Sequence, residues 1–107
     1  MAVRKKDQLF ELGKVVMTEG IRHLLQEDDT QRTFIEIAEC VDRHKSGDWG
    51  DLCEEDAEMN DSSIALEQNG DYPCRIMSVY SLSDGTIIWI ITERDRSATT
   101  ILLPEEY

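Results

Sequence analysis

Ile87-Ile88-Trp89-Ile90-Ile91 is apolar at every position, and no other stretch restricts the fold as tightly. A half-exposed strand would alternate with polar residues, and a membrane span needs ~20 apolar residues. A short run of this kind, bounded by turn residues, predicts a central strand covered on both faces. Asp84-Gly85 stands just before it, the strongest short-range hairpin signal. Arg75 to Leu82 and Thr86 to Thr92 are therefore expected to pair antiparallel. Beyond the charged segment Glu93 to Ser97, Thr99 to Leu103 predicts a third strand, ended by Pro104. The C-terminal third is thus a β-meander.

The preceding residues have helical spacing. Phe34, Ile37, Ala38 and Val41 recur at i, i+3, i+4, i+7 and predict a helix from about Thr30 to His44, capped by Asp29 or Thr30. Within it Glu39 and Arg43 are placed to pair at i, i+4. A second helix is expected from about Leu52 to Leu66. Cys53, Ala57, Asn60 and Ile64 lie along one line of it, and Glu54, Glu58 and Asp61 along another. Earlier in the chain, Leu12 to Thr18 reads as a strand, and Thr18 can cap a short helix from Glu19 to about Gln26. Turn residues from Gln68 to Pro73 close the helical half. The expected fold class is α+β: an N-terminal strand and two to three helices packed on a three- to four-stranded, mainly antiparallel sheet. With 107 residues the chain is read as one domain, frayed over residues 1–8.

Charge narrows the choice of partners. The net charge is −12, and residues 44–74 hold one base against nine acids. Binding to nucleic acid gains its energy from Lys and Arg neutralising phosphate, so direct DNA or RNA binding is not expected; an anionic membrane is disfavoured for the same reason. No apolar segment follows the basic start Arg4-Lys5-Lys6, so no signal peptide is read and the cytoplasm is expected. Cys40, Cys53 and Cys74 are odd in number and fit neither a disulfide framework nor a zinc site; they are read as reduced and mostly buried. Phosphate-binding glycine loops are absent, and no cofactor is expected.

His44-Lys45-Ser46-Gly47-Asp48-Trp49-Gly50-Asp51-Leu52 is the segment that most invites a functional assignment. His44, Asp48 and Asp51 are residue types suited to a metal site or to general acid–base work, as in a small metal-dependent hydrolase. A structural account competes with it. Gly47 is placed to close the first helix in a left-handed conformation, and His44 to carry partial positive charge near its C-terminus. Asp51 and Glu54 have capping-box spacing for the next helix. Trp49 would anchor the loop on the core, its indole N–H reaching a carbonyl. A third use is as a partner-binding corner.

Two further features carry alternatives. The segment Glu93 to Ser97 is either a self-satisfied ion-pair network or an anion clamp with Arg96 as its working residue. The acid-rich stretch from Asp48 to Asp71 is either a solvated face or a surface for a basic protein partner, with Asp48, Trp49, Glu54, Glu58 and Asp61 as contact residues. Ser78, Tyr80 and Ser81 offer hydroxyls, with no partner at a telling spacing to make a nucleophile.

The segments His44 to Leu52, Glu55-Asp56 with Asn60-Asp61, Ser78-Val79-Tyr80, Ile88 to Glu93 and Asp95 to Tyr107 resemble a family of small bacterial proteins. These are plasmid-related or mobile-element proteins of unknown function, some labelled type I restriction enzyme modification subunit. The resemblance covers roughly residues 10–107 and departs at Arg94 and around Asp28 to Arg32. It implies an association with plasmids and phage-like elements. A methyltransferase would require a cofactor-binding α/β sheet with a Gly-rich loop and a base-flipping motif, and 107 residues hold neither. The expected function is that of a small acidic accessory protein of a mobile element, working through protein contacts on a nucleic-acid-binding host protein.

Overall fold

The computed structural model describes residues 8–107; the expected fraying of residues 1–8 lies, apart from Gln8, outside that range. The chain runs β1 (Lys14–Met17), α1 (Glu19–Glu27), α2 (Arg32–Lys45), α3 (Glu54–Gln68), β2 (Ile76–Ser81), β3 (Ile87–Thr92) and β4 (Ala98–Leu102). A short 3-10 turn, Pro104–Glu106, follows. The strands form one sheet in the order β1-β4-β3-β2, with β1 parallel to β4 and the other neighbours antiparallel. This is the expected α+β fold.

Register explains how the sheet is used. Ile76, Ser78 and Tyr80 on β2 lie across from Thr92, Ile90 and Ile88 on β3. Thr99 and Ile101 on β4 continue the row to Val15 and Met17 on β1. These alternate residues share one face, because side chains in a strand repeat every two positions. The helices cover that face: Ile21 of α1 with Ile37 and Cys40 of α2 join Ile88, Ile90 and Ile101 in one cluster. A second cluster forms around Ile64 of α3, Ile76, Phe10 and Trp49.

The opposite face differs from expectation. β3 is internal, and Ile91 is buried there, but Trp89 is only half-buried and Ile87 is exposed. No second helical layer covers this side among the described residues. The C-terminal turn folds back instead and places the Tyr107 ring 5.4 Å from that of Trp89.

Helix starts also depart from the sequence rules. Asp28 organises the start of α2 together with Thr30, and Asp29 takes no part: the Asp28 carboxylate accepts the N–H of Thr30 (2.9 Å) and of Thr33 (2.6 Å), while the Thr30 hydroxyl accepts the N–H of Arg32 (3.2 Å). The hydrogen bonds to Asp28, with the Thr30 hydroxyl foremost, hold its carboxyl well below the usual range. Arg43 turns away from Glu39 to bind Asp48, 2.7 Å away, which the loop brings back to the helix end. Cys40 is buried as expected, whereas Cys53 and Cys74 are exposed. No helix among the described residues is long and apolar enough to cross a membrane.

Candidate functional site

The loop after α2 is built by its backbone. Gly47 takes φ +91° and its N–H donates to the His44 carbonyl, the left-handed closure that its position predicts. The chain then returns along the outer edge of β2. The N–H of Val79 donates to the Trp49 carbonyl (3.2 Å), and the N–H of Asp51 donates to the Val79 carbonyl (2.7 Å). Gly50 between them has φ +70°, and a Cβ there would stand 2.0 Å from the Val79 oxygen and 2.6 Å from the Tyr80 ring. Only glycine permits that approach. One step along the same edge, the Asn60 amide brackets Met77, donating to its carbonyl (2.7 Å) and accepting its N–H (3.3 Å). Loop and α3 together therefore do for Met77 and Val79 of β2 what a fifth strand would do.

His44 lies beneath this cover with no exposed surface. Its Nδ1 is 2.6 Å from the Ser78 hydroxyl and its Nε2 2.9 Å from that of Thr92. Thr92 reaches Thr99 at 2.7 Å, and the Thr99 hydroxyl donates to the Leu12 carbonyl. A carbonyl only accepts, so the chain has one direction: Thr99 accepts from Thr92, Thr92 accepts from His44 Nε2–H, and Nδ1 accepts from Ser78. The Phe10 and Trp49 rings stand edge-on at 5.2 and 6.0 Å. Burial, with a smaller contribution from the Arg96 guanidinium, pushes the imidazole pKa down to about 3. His44 is thus a neutral core residue, and the expected partial positive charge at the helix end is corrected.

The proposed metal and acid–base trio is not assembled. Both His44 nitrogens are engaged, Asp48 binds Arg43 and the Gly50 N–H (3.1 Å), and Asp51 accepts the Ser81 hydroxyl at 2.9 Å. Among the described residues no three His, Cys, Asp or Glu side chains stand together as metal ligands would. Asp51 is also not the cap of α3: the N-cap position is Cys53, without a side-chain bond, and Asp51 is drawn instead to β2. Ser78 beside His44 has the composition of a nucleophile–base pair, yet both are wholly buried and no substrate reaches them.

The predicted binding residues divide in two. Trp49 is buried, and its indole N–H donates to the Asp61 carboxylate at 3.0 Å rather than to a carbonyl. Arg96, expected as an anion clamp, points inward. Its guanidinium donates to Glu67 (3.1 Å) and to the carbonyls of Cys74 (2.9 Å) and Glu93 (3.1 Å), and it lies over the Phe10 ring. Arg96 also holds φ +60° at the β3–β4 turn, a position glycine usually fills; its side-chain bonds offset the strain. Glu54 and Glu58 are exposed on α3, together with Glu55, Asp56 and Asp61. Between these acids, Met59 is 64% and Leu66 38% exposed, spaced i, i+7 on one side of the helix. They line a groove of about 370 Å³ with Glu55, Glu58, Ser62 and Cys74.

No protein-family model matches the chain, and neither does a curated protein or a solved structure.

Several residues that shape the site have weak sequence signals. Asn60 stands on the apolar line of α3, and a lone amide there points to a buried backbone partner. Ser63, which both donates to and accepts from the backbone of Cys74 at 2.8 Å, has no signal of its own. Met59 and Leu66 were detectable as apolar residues off the buried line.

Proposed function

We propose that the chain is a small acidic accessory protein that works by protein–protein contact, with the outer face of α3 as its contact surface and a basic protein as its partner. One observation carries this reading: exposed carboxylates at Glu54, Glu55, Asp56 and Glu58 share α3 with the exposed Met59–Leu66 stripe, Glu55 and Glu58 lining its groove, and these four carboxylates make no ion pair among the described residues. Unpaired acids speed and orient encounter with a positive surface, and the apolar stripe supplies affinity that charge alone does not. The chain's resemblance to proteins of mobile elements suggests a nucleic-acid-binding host protein as the partner, its basic site occupied in place of phosphate.

The test uses host lysate at low salt. Partners held by the wild type and released by high salt, or by added double-stranded DNA, are expected to be lost with the quadruple variant Glu54→Gln, Glu55→Gln, Asp56→Asn, Glu58→Gln. These positions are exposed, so the variant is expected to retain its far-UV dichroism. Partners retained by the variant, or binding that is indifferent to salt, would refute the assignment.

A further inference from the structure

The two edges of the sheet are treated oppositely. The β2 edge is paired by the loop and by Asn60, whereas β1, the other edge, has no strand beyond it among the described residues. Lys14 and Thr18 donate their N–H groups to Ser97 and Ile101 of the β4 side. Strand alternation therefore turns the N–H and C=O groups of Val15 and Met17 outward. Their side chains are 45% and 42% exposed, and Phe34 of α2 is 60% exposed beside them. Together with Leu25, Ala38 and Val41 they line an apolar groove of about 320 Å³. The α2 stripe that begins at Phe34 is thus only partly used within the chain: Ile37 is buried, while Phe34 and Ala38 face the groove.

We infer that this edge is a homodimer interface, in which a second copy of the chain pairs its own β1 antiparallel to the first and the two sheets join into one of eight strands. A two-fold axis through Val16 places Val15 opposite Met17 of the second copy, and Met17 opposite its Val15. Those are the residues whose backbone groups point outward, so each pair exchanges both hydrogen bonds. On the helical face the two Val15–Met17 pairs and the two Phe34 rings close the grooves. On the other face the same register sets Lys14 opposite Thr18 of the second copy, in the closer, non-hydrogen-bonded class of pair. The Thr18 hydroxyl donates to the Glu106 carboxylate, so each Lys14 ammonium meets a carboxylate of the other copy. Within its own chain Lys14 makes no ion pair among the described residues. The complementarity appears twice by symmetry. The strongly acidic segment 44–74 packs at the β2 edge, across the sheet from this interface, which keeps most of the net charge away from the contact; Asp42 is the one acid that lines the groove. Both copies keep their α3 faces exposed.

Sedimentation of the full chain over a range of concentrations tests this. The wild type is expected at twice the chain mass of 12.3 kDa. Val15→Lys with Met17→Lys sets cations opposite one another across the axis and is expected to give a monomer with unchanged far-UV dichroism. Lys14→Glu places a carboxylate near Glu106 of each opposing copy and is expected to weaken dimerisation about tenfold or more. Amide exchange at Val15 and Met17 is expected to slow as concentration rises. A wild type that stays monomeric, a double variant that still sediments as a dimer, or protection of those two amides in a monomer, which would mean that another part of the chain covers the edge, would each overturn the assignment.

Discussion

Burial of His44 makes stability depend on pH in a window where little else titrates. The imidazole ionises at about 3 in the folded chain and near 6.5 when unfolded. The folded-state value is the lower one, so between these pH values the unfolded chain binds the extra proton. The stabilisation is present in full above pH 6.5 and is lost as pH falls toward 3. Each pH unit within the window corresponds to about 1.4 kcal/mol, and the loss between pH 7 and pH 5 is about 2 kcal/mol. The carboxylates held low by hydrogen bonds, among them Asp28 and Asp48, start from ordinary values of 3.8. They add their own acid sensitivity, in the same direction, only below pH 5. Urea denaturation followed by the fluorescence of the two tryptophans, Trp49 and Trp89, reads the effect. With a slope of about 1–2 kcal/mol per molar, the midpoint should fall by roughly 1–2 M from pH 7 to pH 5. His44→Gln keeps a donor and an acceptor but cannot titrate. It is expected to be less stable at pH 7 by about 2–3 kcal/mol through imperfect packing and bonding, and flat down to pH 5. A wild type equally stable at pH 7 and pH 5, or a variant with the same pH slope, would show that His44 is not held neutral by the core.

Substitutions at two further positions probe the supports of the site. Gly50→Ala should dislodge the loop from β2, because its Cβ would overlap the Val79 carbonyl, at a cost of about 3 kcal/mol or more; hydrogen exchange at the Val79 amide should accelerate, and a protected Val79 would contradict the edge pairing. Arg96→Ala leaves Glu67 and the carbonyls of Cys74 and Glu93 without their donor and should cost about 3 kcal/mol in urea denaturation. Arg96→Lys should recover only part of that, since an ammonium cannot span the same acceptors; equal stability of Arg96→Ala and wild type would return Arg96 to the solvent-facing role its sequence suggested.

The local features of the fold were legible residue by residue. The apolar run Ile87 to Ile91 is an internal strand, Asp84-Gly85 turns the hairpin, and Gly47 closes α2. Each depends on a residue's own backbone preference or on spacing within one element, which a single sequence contains. The identities of partners were not legible. Arg43 chose Asp48 over Glu39, Asp51 chose Ser81 over the start of α3, and Trp49 chose Asp61 over a carbonyl.

The segment His44 to Leu52 shows the same division most sharply. Its residue types suggest chemistry, and only the packing of α2 against β2 and β3 shows His44 enclosed by Ser78 and Thr92. Ser78 and Thr92 lie 34 and 48 positions from His44, and whether a side chain faces water or core at such distances is decided by the sheet's register, which no local rule fixes. An acidic α+β chain with a C-terminal meander and glycine-closed turns follows from propensity, patterning and charge, which are properties of neighbouring residues. Tertiary structure alone decided that the loop seals one edge of the sheet while β1 stays open at the other. An edge exists only once the strand order is set, and that order follows from burying all the apolar faces at once.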